Sequence, residues 1–168
     1  MTYLTKTLML CAGLALMGCT NPARFDDTNT VDLNGSGAGS GMASDPSSPL
    51  YFQQTVGDRV LFVIDQYTLT SEARSTLDGQ ANWLMTNTDY NAVIEGHADE
   101  QGTREYNLAL GARRANSVQE YLLSRGVPAN RLSVVSYGKE RPIEICSNES
   151  CYAQNRRAVT VISAGPMS

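Results

Sequence analysis

The chain has 168 residues, is 42% apolar and carries a formal net charge of −4. That length suits one folded domain with a real core. The acidic balance, with Lys and Arg spread along the chain, argues against a nucleic-acid binder, which would present a basic face.

Lys6 and the amino terminus make a weakly positive start, and Leu8 to Met17 is then almost wholly apolar. About ten apolar residues are too few to span a bilayer but suit the core of a signal peptide. The segment ends in Leu16-Met17-Gly18-Cys19, which resembles a bacterial lipobox. In that motif the thiol receives diacylglycerol, cleavage follows the small residue, and the freed amino group is acylated. Residues 1–18 therefore read as a lipoprotein signal peptide and Cys19 as the lipidated residue, bearing fatty acyl chains such as palmitate. Each buried CH₂ contributes about 0.8 kcal/mol, so several chains anchor stably. The alternative is an ordinary secretory peptide that happens to contain Cys19. Cys11 leaves with the signal. Thr20 stands where an Asp would mark retention in the inner membrane, which favours the outer membrane.

Residues 19–49 read as a flexible periplasmic tether. Gly35-Ser36-Gly37-Ala38-Gly39-Ser40-Gly41 and Asp45-Pro46-Ser47-Ser48-Pro49 offer little apolar surface to offset ordering. As a coil the tether reaches roughly 30 Å, and fully extended about 100 Å. A passive spacer would have the same composition.

The folded domain is assigned to residues 50–168, with regular structure expected from Asp58. Arg59-Val60-Leu61-Phe62-Val63-Ile64 predicts a buried strand. Thr70 or Ser71 caps a helix running to about Thr86, with Glu72 in its first turn and Leu77, Ala81 and Leu84 buried. A second strand is expected over Asn91–Glu95. Thr103 caps a longer helix that stops at Gly126, with Pro128 beyond. Arg131–Tyr137 and Arg157–Ile162 complete a βαβαβ order with a late extra strand. The fold class is α/β or α+β, with a mixed sheet and helices mainly on one face.

Asp65 follows the first strand and Asp99 the second, each before a helix. If the crossover makes those strands parallel, both loops emerge at one sheet edge, where ligands of open sheets bind. At about 100° per residue, Leu108, Ala112, Ala115, Val118 and Leu122 share an apolar face. Arg113 points away from that face. Arg114 lies at its border, near Asn107, Leu110 and Tyr121, and can reach toward the strand ends. A guanidinium suits bidentate capture of a carboxylate, while Asp99 could bind an ammonium beside it. The pair specifies a small zwitterion, or equally a structural Asp99–Arg114 salt bridge. Asp99 could also cap the helix or satisfy a turn. His97, the sole histidine, is expected to make loop hydrogen bonds, because no further ligands are spaced for a metal. No cofactor is implied.

Four separated segments then carry a family resemblance: Val93-Ile94-Glu95-Gly96-His97-Ala98-Asp99-Glu100, Tyr106-Asn107-Leu108 through Arg113-Arg114-Ala115-Asn116, Val135-Ser136-Tyr137-Gly138-Lys139-Glu140-Arg141-Pro142, and Asn155-Arg156-Arg157-Ala158-Val159. Over roughly residues 55 to 163 the chain resembles the OmpA-like peptidoglycan-binding domain family. The lipobox and tether favour its Pal lipoprotein branch. The resemblance implies a βαβαβ-β sandwich and, as ligand, the stem peptide of peptidoglycan, usually through meso-diaminopimelate. It implies that Asp99 takes the ammonium and Arg114 the carboxylate. Asp65 and Ile64 would line the site, with Asn107 and Leu110 in supporting positions. The family often has an aromatic where Ile64 stands. The implied role is a non-catalytic anchor between outer membrane and cell wall, with TolB as exchange partner and TolA engaged during envelope constriction. An OmpA-like lipoprotein without a Tol role is the alternative. An enzyme acting on peptidoglycan is disfavoured, since no nucleophile elbow, metal triad or poised Ser–His arrangement stands in the sequence.

Cys146-Ser147-Asn148-Glu149-Ser150-Cys151 departs from the family pattern. In an oxidising compartment a local Cys146–Cys151 disulfide is expected, stabilising by about 2 kcal/mol because its loop is short; a free reactive pair is the alternative, and a metal site lacks its other ligands.

Overall fold

The computed structural model describes residues 43–145 and 147–165. The expected signal peptide, Cys19, most of the tether and Cys146 lie outside those residues. Ser48 caps a short helix α1 (Pro49–Tyr51), which continues as a π-helical turn over Phe52–Gly57. There follow β1 (Arg59–Leu61), α2 (Ser71–Thr86), β2 (Tyr90–His97), α3 (Arg104–Ser124), a 3₁₀ turn (Ala129–Arg131), β3 (Leu132–Gly138), α4 (Glu149–Asn155) and β4 (Arg157–Ala164).

The four strands form one mixed sheet in the order β1-β4-β2-β3. β4 is antiparallel to both β1 and β2, and β2 is parallel to β3. β1 and β2 therefore run the same way although they do not touch, and their carboxyl ends share one edge. The late strand supplies this geometry by inserting between them.

One face of the sheet carries Val60, Ala158, Ile94, Ala92 and Leu132, all buried. Against it pack Ala73, Leu77, Ala81 and Leu84 of α2 and Ala115, Val118 and Leu122 of α3. Thr70 caps α2 through the Ala73 amide at 3.1 Å, and Thr103 caps α3 through the Tyr106 amide at 3.2 Å. The buried Gln80 donates to the Gly57 carbonyl and accepts from Thr160, both at 2.7 Å, so its amide is satisfied inside the core.

α3 lies unusually close to the sheet. A Cβ on Gly96 would stand 1.9 Å from the Gly111 carbonyl oxygen, and one on Gly111 would stand 2.4 Å from Ser136 Oγ. Only two facing glycines allow this approach. It brings the next turn of α3, with Arg114, against the end of β2.

Several expectations change. The run from Arg59 to Ile64 is not one buried strand: pairing ends at Leu61, and Leu61, Val63 and Ile64 are exposed while Val60 and Phe62 are buried. β1 is an edge strand whose helices cover only one face, so burial alternates. Asp45–Pro49 is not free tether. The Trp83 indole donates to the Pro46 carbonyl at 2.7 Å, and Ser48, 3% exposed, accepts from the Tyr51 amide at 3.0 Å. Phe52, fully buried, meets Trp83 edge to face at 4.9 Å. The Ser-Pro pair that looks like linker is an N-cap with proline in the first turn.

The apolar face expected on α3 is also shifted. Leu108 is exposed, and the buried stripe is Asn107, Leu110, Gly111, Arg114, Ala115, Val118 and Leu122. The first turns of α3 overhang the carboxyl edge of the sheet. There they bury polar groups against loop backbone rather than apolar groups against strands.

Candidate ligand-binding site

Three segments meet at that edge: the turn after β1, the loop after β2, and the residue entering β4. Arg114 lies between them with no solvent exposure. Its Nε donates to the Gln66 carbonyl at 2.8 Å, Nη1 to the His97 carbonyl at 2.8 Å, and Nη2 to the Val63 carbonyl at 3.2 Å. The guanidinium carbon also stands 5.3 Å from the centre of the Phe62 ring. Burial lowers its pKa to about 10, opposed by the nearby Asp99, so the group stays charged at neutral pH. A guanidinium has five N–H donors; three are spent on backbone.

Arg114 is thus at the centre of the buried stripe, not at its border. It makes no salt bridge with Asp99. Asp99, 7% exposed, instead accepts through Oδ2 from Arg156 Nη1 at 3.0 Å. Its Oδ1 accepts from the Gln101 amide at 3.2 Å, closing a turn. Arg156 also donates through Nη2 to Glu149 and through Nε to the Phe62 carbonyl at 3.3 Å. Burial opposes the Arg156 charge, yet the bonds to Glu149 and Asp99 hold its pKa above the ordinary arginine value.

The acidic loop is tied down from other sides. Asn107, fully buried, donates to the Gln101 carbonyl at 2.7 Å. Lys139 donates to the Gly102 carbonyl at 2.6 Å. Asn155 donates to Glu100 Oε1 at 2.7 Å while accepting from the Ile143 and Glu144 amides at 2.9 and 3.1 Å. Asp99 therefore sits in a preset position, which a recognition group needs.

Asp65 and Ile64 stand at the exposed rim. Asp65 is the one described non-glycine residue in left-handed backbone, with φ 55°, and its Oδ1 accepts from Tyr106 OH at 3.3 Å. That bond links the rim to α3. Leu110 is buried beneath. The structure thus brings Asp99, Arg114, Asn107 and Leu110 together under a rim formed by Asp65 and Ile64. Arg113, expected to be solvated, is exposed and lies over the Tyr67 ring at 5.6 Å.

His97 departs from expectation. Its ring makes no hydrogen bond to the described protein groups, although it is 1% exposed. It stacks beside Tyr137 at 5.5 Å, with Glu95 Oε2 at 3.7 Å from Nε2. Burial, helped by the Arg157 and Arg141 charges, pushes its pKa down to about 4. Its contribution to the site is the backbone carbonyl that holds Arg114. Among the described residues no three His, Cys, Asp or Glu side chains gather as a metal site.

Sequence reasoning gave no role to Arg156, Glu149 or Tyr106. Arg156 and Asp99 lie 57 residues apart, and no periodicity connects them. The helix α4 was also unforeseen in a segment expected to be a disulfide-closed loop. Its one local signal was Asn148, whose side chain accepts from the Cys151 amide at 3.2 Å.

Known proteins share both the sequence and the fold. Residues 61–156 match the OmpA family. The chain is 50% identical over 155 residues to the peptidoglycan-associated lipoprotein of Rhizobium meliloti (strain 1021), covering 92% of this chain and 85% of that protein. It is 36% identical over 162 residues to the peptidoglycan-associated lipoprotein of Pasteurella multocida (strain Pm70), covering 95% and 98%. The crystal structure of the peptidoglycan-associated lipoprotein from Burkholderia pseudomallei superposes with a TM-score of 0.64 at 37% identity, over 72% of this chain and 98% of that one. The C-terminal domain of Helicobacter pylori MotB, 22% identical, shares the fold with a TM-score of 0.60 over 64% of this chain and 85% of that one.

Proposed function

This chain belongs to the peptidoglycan-associated lipoprotein family, with an OmpA-family domain over residues 61–156, and on that premise we propose that it is a non-catalytic, lipid-anchored outer-membrane protein whose periplasmic domain binds peptidoglycan within the Tol–Pal envelope system. The match to the Rhizobium relative covers 92% of the chain and so extends into the N-terminal segment. That supports acylation at Cys19 and a tether reaching from the membrane to the wall.

The observation that carries the binding mode is a fixed cation beside a fixed anion. Arg114 is locked by three carbonyls, and Asp99 by Arg156 and a turn amide. Their opposite charges suit a carbon bearing both an ammonium and a carboxylate. The side-chain end of meso-diaminopimelate is such a group. In this reading Asp99 accepts the ammonium and Arg114 the carboxylate. Asp65 and Ile64 line the entrance, while Asn107 and Leu110 support the loop and helix from below.

Arg114 is covered by the turn at residues 63–66. The turn therefore shifts to admit the ligand carboxylate, which meets the two N–H donors that the carbonyls leave free or replaces the Val63 or Gln66 carbonyl. A carboxylate adds charge–charge attraction and a bidentate fit to the guanidinium that a neutral carbonyl does not supply.

The test is co-sedimentation of the protein with native sacculi, competed by free meso-diaminopimelate. Sedimentation that competitor abolishes supports the reading. A folded protein that stays in the supernatant overturns it. TolB is the proposed exchange partner, with TolA engaged during envelope constriction. Calorimetric mixing with TolB tests that part, and absence of heat would leave a wall-binding lipoprotein with no Tol role.

A further inference from the structure

Glu149 touches no residue of the proposed zwitterion grip, yet it shares a guanidinium with one of them. Its Oε1 accepts from Arg156 Nη2, while Arg156 Nη1 donates to Asp99 Oδ2 at 3.0 Å. The Arg156 side chain is 5% exposed, Asp99 10% and Glu149 67%. A buried cation is thus clamped between one carboxylate facing the site and another at the surface. α4 makes this possible: it begins at Glu149 and ends at Asn155, immediately before Arg156. Seven residues on a helix are two turns, which returns the chain to the same face.

The charge balance gives the arrangement a consequence. Asp99 paired with Arg156 alone would be a neutral couple, and an arriving ammonium would gain little from it. With Glu149 as a second partner, two negative charges share one positive charge. The Asp99 side of the site then carries a net negative charge opposite the single positive charge of Arg114. We propose that Glu149 is a positioning residue that draws Arg156 away from full neutralisation of Asp99 and so keeps Asp99 able to accept the ligand's ammonium. This rests on the reading that Asp99 is the ammonium acceptor.

The experiment uses the full acylated protein in detergent, with native sacculi as probe and meso-diaminopimelate as competitor. Glu149→Gln should weaken sedimentation about three- to fivefold at low salt, the range expected for one partly exposed charge. The gap should close as salt approaches about 1 M, where charges are screened within a few ångströms. Glu149→Asp should recover part of the loss. Circular dichroism should be unchanged, because the side chain is largely in solvent. Equal binding by wild type and Glu149→Gln at low salt would overturn the proposal, as would a deficit that persists unchanged at high salt. An Asp99→Asn control separates the two readings. If wild type sediments, Asp99→Asn does not, and Glu149→Gln matches wild type, only the role of Glu149 falls. If wild type itself fails to sediment, the binding site falls and this role with it.

Discussion

Asp99 is ion-paired to Arg156, 3.0 Å away and 57 residues further along the chain. Arg114 lies close enough for the Asp99 charge to act on it but donates its hydrogen bonds to backbone carbonyls alone. The anion and the cation of the proposed grip are therefore held independently. Neither consumes the other, and each can be altered without releasing its counterpart.

Asp99→Ala and Arg114→Ala should each abolish co-sedimentation with sacculi, whereas Arg113→Ala should not. The two losses differ in kind. Removing the Arg114 side chain leaves buried carbonyls unpaired and should cost roughly 2–4 kcal/mol of stability. Asp99→Asn keeps the shape and is the cleaner test. Retained binding by folded Asp99→Asn would falsify the assignment of the ammonium acceptor.

Amide hydrogen exchange over residues 63–66 should change when a soluble diaminopimelate-containing peptide binds. The Val63 and Gln66 carbonyls hold Arg114 beneath this turn, and a carboxylate that reaches the guanidinium must move the turn. Exchange in this turn that is identical with and without ligand would count against capture by Arg114.

Gly96→Ala should destabilise the domain by roughly 3 kcal/mol or more, because the new methyl would overlap backbone that cannot yield cheaply. The Cβ would fall 1.9 Å from the Gly111 carbonyl oxygen. Thermal unfolding measures the loss. Sacculus binding by the surviving folded fraction should also weaken, since the same displacement moves Arg114 away from the His97 carbonyl.

Acid should destabilise the protein through His97. The unfolded imidazole takes a proton near its ordinary pKa of 6.5, the folded one only near 4. Between those values the unfolded state binds the extra proton, so stability present above pH 6.5 is lost as the pH falls toward 4. The shift corresponds to roughly 3 kcal/mol. Denaturant titrations across that window should show a steeper decline for wild type than for His97→Phe. Parallel curves would mean that His97 is not the group responsible.

Two cysteine predictions involve Cys19 and Cys146, which lie outside the described residues. Cys19→Ala should eliminate palmitate labelling and release the protein from the membrane; persistent labelling would refute the lipobox. Mass spectrometry of protein from the periplasm should find Cys146 and Cys151 joined, and Cys146→Ser should lower stability by about 2 kcal/mol. Two free thiols in freshly isolated protein would remove the disulfide.

The residues by themselves determined the secondary structure at the strong signals. Thr70 and Thr103 are caps, Gly126 follows a helix end, and β-branched runs mark strand centres, because such preferences act over a few neighbouring residues. The grouping of Asp99 with Arg114 was also legible, through strand direction and the family motifs. Tertiary structure alone decided what each charge touches. Placement of β4 between β1 and β2 delivers Arg156 to Asp99. The contact of Gly96 with Gly111 lowers α3 until Arg114 is buried under the 63–66 turn. Folding of α4 returns Glu149 to Arg156. The first two join segments tens of residues apart or depend on close backbone approach, and the third depends on a helix the local signals mark only weakly; neither periodicity nor local propensity carries that information.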